Sequence, residues 1–244
     1  MPRLFVAPIT RKRALYAVRA YHYTGTLPAG RCQFWGVWFC GEFFGVVVVS
    51  RGSCQHIGRP FQLAQDRIAE VSRIAVRPGH EFHISEVLAV VARLLKRSSR
   101  LELLISYADS RMGHDGRGVY GGANWIYLGP THKEATLLLF GKEVHARTVS
   151  STFKTRSLRW LQANVDPNAQ RIINPVKHKW ALALTPTMRE RLAQMAQPYP
   201  KREQSAESGT PRSRRGSPSL DGAQRRGLCD ETCSLIPVSE PRHG

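Results

Sequence analysis

The sequence predicts an α/β fold in which a mixed sheet is packed against helices. Two apolar runs, residues 33–40 and 42–50, stand on either side of a glycine, which is a hairpin signal. A strand at residues 70–76, a helix running to about Ser98 and a strand at residues 101–108 then form a βαβ unit. Elements in this order favour a mixed sheet with helices packed on it.

The N-terminal region predicts a helix followed by a loop. Residues 11–22 place Ala14 and Val18 on one helix side, and a loop containing Pro and Gly begins after them. His22 and Tyr23 are adjacent at this junction. Loop residues held by a rigid scaffold often carry function, but packing at a helix end explains the same pair equally well.

The strand at residues 70–76 carries a charge in its middle. Period-two alternation puts Val71, Arg73 and Ala75 on one face of this strand. A charge in such a position is costly unless it is paired. We therefore expect Arg73 to pair with an acid or to bind an anionic ligand, rather than to lie on a solvated edge.

The next helix and the later strands follow from apolar spacing. Ser85 is expected to cap the helix, whose apolar residues from Ile84 to Leu95 recur at helical spacing. The helix dipole is enough to explain Lys96 and Arg97 near its end. Further strands are predicted at residues 126–128, 135–140 and 176–184.

Charge and cysteine content narrow the class of protein. The 244 residues carry a net charge of +18, which attracts polyanions such as nucleic acid, although a soluble basic protein is the plainer interpretation. Five cysteines without a CxxC pair indicate a reducing compartment rather than a zinc site. Neither a secretory signal nor an apolar run long enough to span a bilayer is evident, so a cytoplasmic location is expected.

Most of the positive charge belongs to the expected folded domain rather than to the tail. We expect one domain at residues 1–197, with a basic C-terminal portion at about 141–197, and a disordered tail rich in Ser, Pro and Arg at 198–244. A solvated basic face explains the basic portion, and so does a DNA-binding surface. The residues expected to bind DNA are Lys142, Arg147, Lys154, Arg156, Arg159, Lys177 and Lys179.

Residues 101–129 combine an apolar strand with a polar end typical of a site. Asp109 follows the strand, and ligands of open α/β sheets bind just beyond strand carboxyl ends. A salt bridge to Arg73 or a helix cap explains Asp109 without catalysis, and core packing explains Trp125. The residues expected to bind substrate or donor are Ser72, His114, Asn124, Trp125 and Tyr127.

Two further patterns in this region carry little weight. The G-x-G-x-x-G pattern that begins at Gly116 does not directly follow the strand, so no dinucleotide site is expected there. His22, His114 and Asp109 have the chemistry of metal ligands, but they come from distant segments. No metal site is predicted from them.

Several short motifs are spread along the chain: HYTGTLP from His22, VSR from Val71, ISYAD from Ile105, GHDG from Gly113, VY from Val119, ANWIYLG from Ala123 and PVKHKW from Pro175. Together they resemble the Mom family of phage DNA-modification proteins, whose fold is GNAT-like. The resemblance covers roughly residues 22–184. It implies a mixed, mostly antiparallel sheet with helices on both faces and a central βαβ unit.

The resemblance also implies an activity, the conversion of adenine in DNA to an N6-carbamoylmethyl form that blocks host restriction enzymes. The protein would then act on double-stranded DNA in the cytoplasm of a host bacterium. An acyl-CoA-like donor and iron are possible cofactors by resemblance alone. The residues that the resemblance makes catalytic are His22, Tyr23, Arg73, Asp109 and Tyr120.

One segment departs from the GNAT pattern. Residues 77–84 lack the second small residue of the turn that cradles the CoA pyrophosphate, which puts ordinary acetyl-CoA binding in doubt. In the expected reaction, adenine is flipped out of the duplex and stacked on aromatic residues, while Asp109 accepts a proton. The aromatic candidates are Tyr23, Tyr120, Trp125 and Tyr127. The alternatives are an N-acetyltransferase acting on a small amine or protein, and a basic DNA-binding protein without catalysis.

Overall fold

A computed structural model of the chain describes residues 3–52, 54–112, 116–132 and 135–199, except for the side chain of Arg147. The expected tail at residues 198–244 lies almost wholly outside the described residues. The strands are β1 (Leu4–Pro8), β2 (Cys32–Phe39), β3 (Glu42–Ser50), β4 (Ile68–Val76), β5 (Leu103–Asp109), β6 (Ile126–Pro130), β7 (Ala135–Leu139), β8 (Lys142–His145), β9 (Gln170–Ile173) and β10 (Lys177–Ala183). The helices are α1 (Arg11–Tyr21), α2 (Ile84–Ser98), α3 (Arg117–Tyr120), α4 (Ala146–Phe153), α5 (Leu158–Asn164) and α6 (Pro186–Met195).

Seven strands form the main sheet in the order β1-β2-β3-β4-β5-β10-β6. Only β4 and β5 run parallel among these neighbouring strands, and α2 connects them as the predicted βαβ unit. The predicted hairpin is β2 and β3. The expected fold class, a mixed and mostly antiparallel sheet with a central βαβ unit, is confirmed.

Helices cover both faces of the main sheet. The apolar side of α2 packs on one face, where Leu88 and Val91 join a core with Val47 and Leu104. On the other face α1 packs against β3 and β4, with Val46 and Val48 in the core. Alternate residues of β3 therefore enter different cores, as the strand period requires. The helix α6 covers β5 and β10 on the same face as α1.

A β-bulge at Ser72 interrupts the pairing of β4 with β3. Val49 pairs with Val71 and Val48 pairs with Arg73, so Ser72 is the extra residue. The bulge reverses the alternation along β4, because Val71 packs with the core under α2 and Ala75 packs with the core under α1. The expectation that Val71, Arg73 and Ala75 share a face is therefore wrong.

The parallel pair separates directly after the bulge. The pairing of β4 with β5 covers Ile68–Val71 and Leu103–Ser106 and extends no further in register. The remaining residues of the two strands, up to Val76 and Asp109, diverge and leave a gap between them. This gap is the feature of the fold that positions the candidate site.

The start of α2 differs from the prediction. The cap is His83 rather than Ser85, and the His83 backbone N–H donates to the Glu86 carboxylate over 3.4 Å. Ser85 lies inside the first turn. The sequence pattern also did not predict β1, which pairs with β2 at the edge of the sheet.

A small second sheet interrupts the main one in sequence. Residues 135–173, called the insert below, lie between β6 and β10 and form a sheet in the order β8-β7-β9 together with α4 and α5. The insert has its own core of Leu137, Leu139, Val149, Leu161 and Ala169. The expected basic portion is thus divided between the insert and the main sheet. None of the helices in the described part of the chain is long and apolar enough to cross a membrane.

Candidate functional site

Two cavities meet in the gap between β4 and β5. Their volumes are about 390 and 400 Å³, in the usual range for small-molecule sites. Both cavities are lined by Tyr23, Val71, Ser72, Arg73, Tyr107 and Asp109. We call the space bounded by these six residues the cleft. Four of them, namely Tyr23, Ser72, Arg73 and Asp109, were predicted as site residues.

The two cavities have different walls beyond the cleft. The first extends past His22 at the end of α1 towards Ile84 at the start of α2 and towards Tyr120. The second is more polar and is lined by His56, Lys177 and Lys179, together with Glu70. The cleft is therefore accessible from two directions, one of which carries two lysines.

Asp109 is buried at the end of β5 and is held by Arg111. The Arg111 side chain donates from Nε to both carboxylate oxygens over 3.2 Å and from Nη2 to Oδ2 over 2.9 Å. The Arg111 backbone N–H donates to Oδ1 over 3.1 Å. The side-chain hydrogen bonds lower the pKa of Asp109 although burial opposes them. Asp109 is therefore a carboxylate at neutral pH, suited to accepting hydrogen bonds more than to taking up a proton.

Arg73 lies in the cleft but is not the ion-pair partner of Asp109. Its Nε donates to the Thr26 carbonyl over 3.2 Å and its Nη1 donates to the Ser72 carbonyl over 2.7 Å. Among the described residues, no carboxylate forms an ion pair with Arg73. The expected pairing with an acid is wrong within this part of the chain, and an anionic ligand remains the other expectation.

His22 is a neutral hydrogen-bond donor at the edge of the cleft. His22 Nδ1 faces the Thr24 hydroxyl over 2.9 Å and the Thr24 backbone N–H over 3.2 Å. Because a backbone N–H can only donate, we assign Nδ1 as the acceptor and the proton of the neutral ring to Nε2. Burial and the nearby Arg73 guanidinium lower the pKa of His22 to about 4. The ring therefore stays uncharged at neutral pH and has no free nitrogen to act as a base.

Tyr23 stacks on His22 with ring centroids 4.4 Å apart. Its side chain is largely exposed and lines both cavities. Burial of the hydroxyl region raises the pKa of Tyr23, and the Asp109 carboxylate raises it further. The hydroxyl therefore remains protonated at neutral pH and can donate a hydrogen bond in the cleft.

Tyr120 is buried behind the first cavity. The Ser106 hydroxyl donates to the Val71 carbonyl over 2.8 Å, so its oxygen accepts from the Tyr120 hydroxyl over 2.7 Å. Burial raises the pKa of Tyr120 to about 12. These contacts tie α3 to β5 and, through Val71, to β4 at the last residue before the bulge. Tyr120 thus fixes the place where the parallel pair separates.

Gly116 allows Tyr120 to approach the sheet. Its φ of +82° is in the left-handed region, and a Cβ there would lie 2.6 Å from the Tyr120 ring and 2.9 Å from the Ala108 Cβ. Gly118 has open space around it. The glycine pattern therefore serves a close packing contact at its first position.

The bulge residue Ser72 is held from the neighbouring strand. Its hydroxyl lies 2.5 Å from the Ser50 hydroxyl and also donates to the Glu70 carbonyl over 3.3 Å. The Ser72 carbonyl accepts from Nη1 of Arg73 over 2.7 Å. These contacts fix the β4 side of the cleft.

Three of the predicted binding residues lie outside both cavities. Trp125 and Tyr127 are buried in the core against Trp180, with ring centroids of Tyr127 and Trp180 5.2 Å apart. This is the core-packing alternative for Trp125. Asn124 is exposed and has a φ of +59°, so it occupies a left-handed position after Ala123. His114 lies outside the described residues.

The predicted DNA-binding residues fall into two groups. Lys177 and Lys179 line the second cavity, where burial lowers the pKa of Lys179. The exposed residues Lys142, Lys154, Arg156 and Arg159 belong to the insert, as does Arg147, whose side chain is not described. The basic residues therefore form one group at the cleft and one on a separate sheet.

Sequence reasoning missed Arg111 and Ser106 as site residues. Arg111 follows Asp109 by two residues, and its pairing depends on a short 3-10 turn at Ser110–Met112. Ser106 could have been found from the sequence, because a hydroxyl in the middle of a buried apolar strand is costly unless it is hydrogen-bonded. His56 came from a loop that showed no motif.

The described residues do not fit the cofactors that the resemblance suggested. No three His, Cys, Asp or Glu residues in the described part of the chain are placed to hold a metal ion. At the start of α2, the Glu86 carboxylate accepts from the His83 N–H and puts a negative charge at the helix N-terminus, which disfavours a pyrophosphate there.

The fold and the cleft define an α/β protein whose parallel strand pair opens into a site reached from two directions. The sequence profile of the Mom protein family matches residues 3–201, and the chain belongs to this family. No curated protein sequence shows a significant match to it.

Solved structures similar to this chain include three acyltransferase-type proteins. Spermidine/spermine N-acetyltransferase SpeG from Vibrio cholerae shares 8% identity over 77% of this chain and 96% of its own, with a TM-score of 0.44. FeeM, an N-acyl amino acid synthase from uncultured soil microbes, shares 11% identity over 80% of this chain and 97% of its own, with a TM-score of 0.39. A GNAT family acetyltransferase from Elizabethkingia anophelis shares 11% identity over 75% of this chain and 99% of its own, with a TM-score of 0.37.

Proposed function

We propose that this protein is a transferase that adds a carbamoylmethyl-type group to N6 of adenine in double-stranded DNA, which protects that DNA from restriction. Membership of the Mom family supports the class of reaction. The observation that carries the proposal is the meeting of two cavities at Asp109. Two reactants that enter a cleft from different directions meet in a fixed orientation, which lowers the entropic barrier to their reaction.

In this proposal Asp109 binds the reacting amine. The exocyclic amine of adenine is a poor nucleophile and gains positive charge as its nitrogen forms a new bond. A carboxylate that stays ionised accepts a hydrogen bond from this amine and stabilises the developing charge. The low pKa of Asp109 favours this role over that of a strong base. As the new bond from N6 to the transferred carbon forms, the bond between that carbon and the donor's leaving group breaks, and the leaving group departs with the electron pair. The amine proton passes to water or to that leaving group.

His22 and Tyr23 act on the transferred group. The group contains a carbonyl, and the Nε2–H of a neutral His22 is a suitable hydrogen-bond donor to its oxygen. The protonated Tyr23 hydroxyl is a second donor in the same cleft. Arg73 adds a fixed positive charge that suits an anionic part of the donor.

The second cavity suits the DNA side. A target base must leave the duplex to be modified, and the phosphates on either side of it need cationic partners. Lys177 and Lys179 line this cavity, and the insert carries further exposed cations. We therefore assign the second cavity to adenine and its phosphates, and the first cavity to the donor.

Nucleoside mass spectrometry of a co-expressed plasmid tests the proposal. The wild-type protein is expected to give a modified adenine heavier by a carbamoylmethyl group, and Asp109→Asn to reduce its yield at least 100-fold. The exposed Asp66→Asn removes the same charge elsewhere and is expected to retain the wild-type yield. Unmodified adenine with the wild-type protein overturns the proposal. Turnover of acetyl-CoA without DNA would instead indicate the N-acetyltransferase alternative.

A further inference from the structure

The turn between β7 and β8 carries a phenylalanine at a position where the backbone conformation favours asparagine. Leu139 pairs with Lys142, so Phe140 and Gly141 form a two-residue turn. Their φ angles of +51° and +73° are those of a type I′ turn, in which Asn-Gly is the preferred pair. A bulky residue with positive φ is uncommon, and its presence suggests a demand other than backbone geometry.

Phe140 belongs to none of the hydrophobic cores that the described residues form. Its side chain is 68% exposed, the largest exposed fraction among the exposed large apolar residues in the described part of the chain. The core of the insert is formed by other residues, such as Leu137 and Leu139. An exposed aromatic ring at a turn is therefore available to a partner.

The carboxylate of Asp166 holds the backbone of this turn. The Phe140 backbone N–H donates to Oδ2 of Asp166 over 2.6 Å, and Oδ1 of Asp166 accepts from the Asn168 backbone N–H over 2.9 Å. Asp166 is only 5% exposed. A buried carboxylate that binds the amide of the turn fixes the direction in which the ring projects.

The same hairpin reaches the cleft. Glu143 of β8 lies 3.7 Å from Nη1 of Arg111, and Arg111 binds Asp109. Glu143 pairs with Leu138, and the Leu139–Lys142 pair lies between it and the turn. The turn is therefore the tip of the hairpin that contacts the Asp109 end of the cleft. A duplex that delivers a flipped base to the cleft would lie against this hairpin.

We propose that Phe140 is a wedge that enters the DNA duplex and fills the space left by the flipped adenine. This inference rests on the proposed function. Apolar side chains inserted between bases unstack them, and cations beside the wedge hold the phosphates. Lys142 is exposed directly after the turn, and Arg171 pairs with Leu137 on the neighbouring strand. The partner of the hairpin is thus duplex DNA rather than protein.

The Phe140→Asn variant distinguishes a role of Phe140 as a wedge from a role in folding. Asn suits the type I′ turn, so the variant removes the aromatic ring without disturbing the turn. The melting temperature is expected to stay the same or to rise, while modified adenine in a co-expressed plasmid falls at least 10-fold. Phe140→Trp, which restores a large ring, is expected to retain at least half of the wild-type yield. Wild-type yield in Phe140→Asn overturns the proposal.

A binding probe tests the wedge independently of the reaction. A duplex with 2-aminopurine in place of adenine is expected to fluoresce more strongly with the wild-type protein and not with Phe140→Asn. With 2-aminopurine opposite an abasic site, where unstacking is easier, both proteins are expected to give the increase. An equal increase by both proteins on the matched duplex contradicts the wedge. Absence of modified adenine with the wild-type protein refutes the proposed function instead.

Ile173→Asn is the matched control. Ile173 is 66% exposed at the end of β9 on the same small sheet, but it is not on the turn. This variant is expected to retain wild-type modification and the 2-aminopurine signal. A loss as large as that of Phe140→Asn would overturn the assignment, because it would indicate a general apolar surface.

Discussion

The Arg111 guanidinium holds the Asp109 carboxylate from two residues along the chain, with Nη2 2.9 Å from Oδ2 and Nε 3.2 Å from both oxygens. Nη1 of Arg111 lies 3.7 Å from Glu143 of the insert. One arginine therefore joins the floor of the cleft to the sheet that carries the basic surface. The ionisation of Asp109 depends on this contact more than on any other described neighbour.

Arg111→Gln is expected to destabilise the protein at neutral pH by about 1–2 kcal/mol, because Asp109 stays buried without its charged partner. The folded pKa of Asp109 lies below its unfolded value of about 3.9, so the pair stabilises above that pH, and the contribution is lost as pH falls through the folded pKa. Urea denaturation at pH 7 and at pH 3, which is below the unfolded pKa, should show a smaller difference at pH 3. Glu143→Gln, which removes only the exposed contact, should change stability by less than about 0.5 kcal/mol.

A difference between wild type and Arg111→Gln that is equal at both pH values would contradict this account. It would mean that Arg111 stabilises the fold through packing. The same variant also bears on catalysis, since the acidic limb of the pH–rate profile is expected to move to higher pH as the pKa of Asp109 rises. A profile that keeps its position would exclude Asp109 from the reaction.

His22 is expected to titrate near pH 4 in the folded protein. Its folded pKa is below the unfolded value of about 6.5, so the unfolded state takes up the proton first, and stability falls as pH drops from about 6.5 to 4. The His22→Gln variant should lack this loss, which we expect to reach about 1–2 kcal/mol given the partial exposure of the ring. An NMR titration of the ring proton gives the midpoint directly.

The Arg73→Gln variant is the control for the His22 titration. Since burial is the larger cause of the low pKa and Arg73 the smaller one, the midpoint should rise only part of the way towards 6.5. A wild-type midpoint near 6.5 would refute the assignment of His22 as a neutral donor. It would also return His22 to the class of candidate bases.

The sequence predicted the elements that are marked by a long apolar run or by a regular apolar period within their own residues. The hairpin of β2 and β3 and the unit β4-α2-β5 were found because long apolar runs and a clear helical period mark them. The strand β1 was missed because five residues at a sheet edge carry little pattern. The strands β8 and β9 have four residues each and are mostly exposed, so periodicity cannot mark them.

The sequence predicted which residues would line the site, but it did not predict the strand arrangement that brings them together. His22, Tyr23, Arg73, Asp109 and Tyr120 all line the first cavity, although they come from four separate segments. The bulge at Ser72 and the separation of β4 from β5 depend on pairing with other strands, which no single segment encodes. An Arg73 salt bridge was one alternative for Asp109, and the observed partner is Arg111. The sequence could not show this contact, because it depends on the backbone conformation of the turn at Ser110–Met112.

The hydroxyls of Tyr120 and Ser106 are expected to stabilise the fold as a unit. Tyr120→Phe removes the donor to Ser106, and Ser106→Ala removes the acceptor and the bond to the Val71 carbonyl. Each variant should cost about 1–2 kcal/mol in urea denaturation, and the double variant should cost less than their sum by at least about 0.5 kcal/mol. Strict additivity would show that the two hydroxyls are not coupled.

DNA affinity is expected to depend on salt and on the insert. Lys142 is exposed on the insert, so Lys142→Gln should reduce the slope of log affinity against log salt by about 0.9 if this residue contacts a phosphate. Fluorescence anisotropy with a duplex of mixed sequence measures the slope. Lys96→Gln removes an exposed charge near the end of α2 and should leave it unchanged. An equal decrease in both variants would indicate an effect of net charge rather than a contact.

Gly116→Ala is expected to disturb the wall of the first cavity. The added methyl group would lie 2.6 Å from the Tyr120 ring and 2.9 Å from both the Ala108 Cβ and the Trp180 indole nitrogen, and the backbone at φ +82° disfavours any side chain. We expect a loss of about 2–4 kcal/mol in urea denaturation, together with a change in near-ultraviolet circular dichroism as the aromatic rings move. Gly118→Ala, two residues later in α3 with open space around it, should be neutral or should stabilise by up to about 1 kcal/mol. If the two variants behave alike, the close approach of Tyr120 to the sheet does not depend on Gly116.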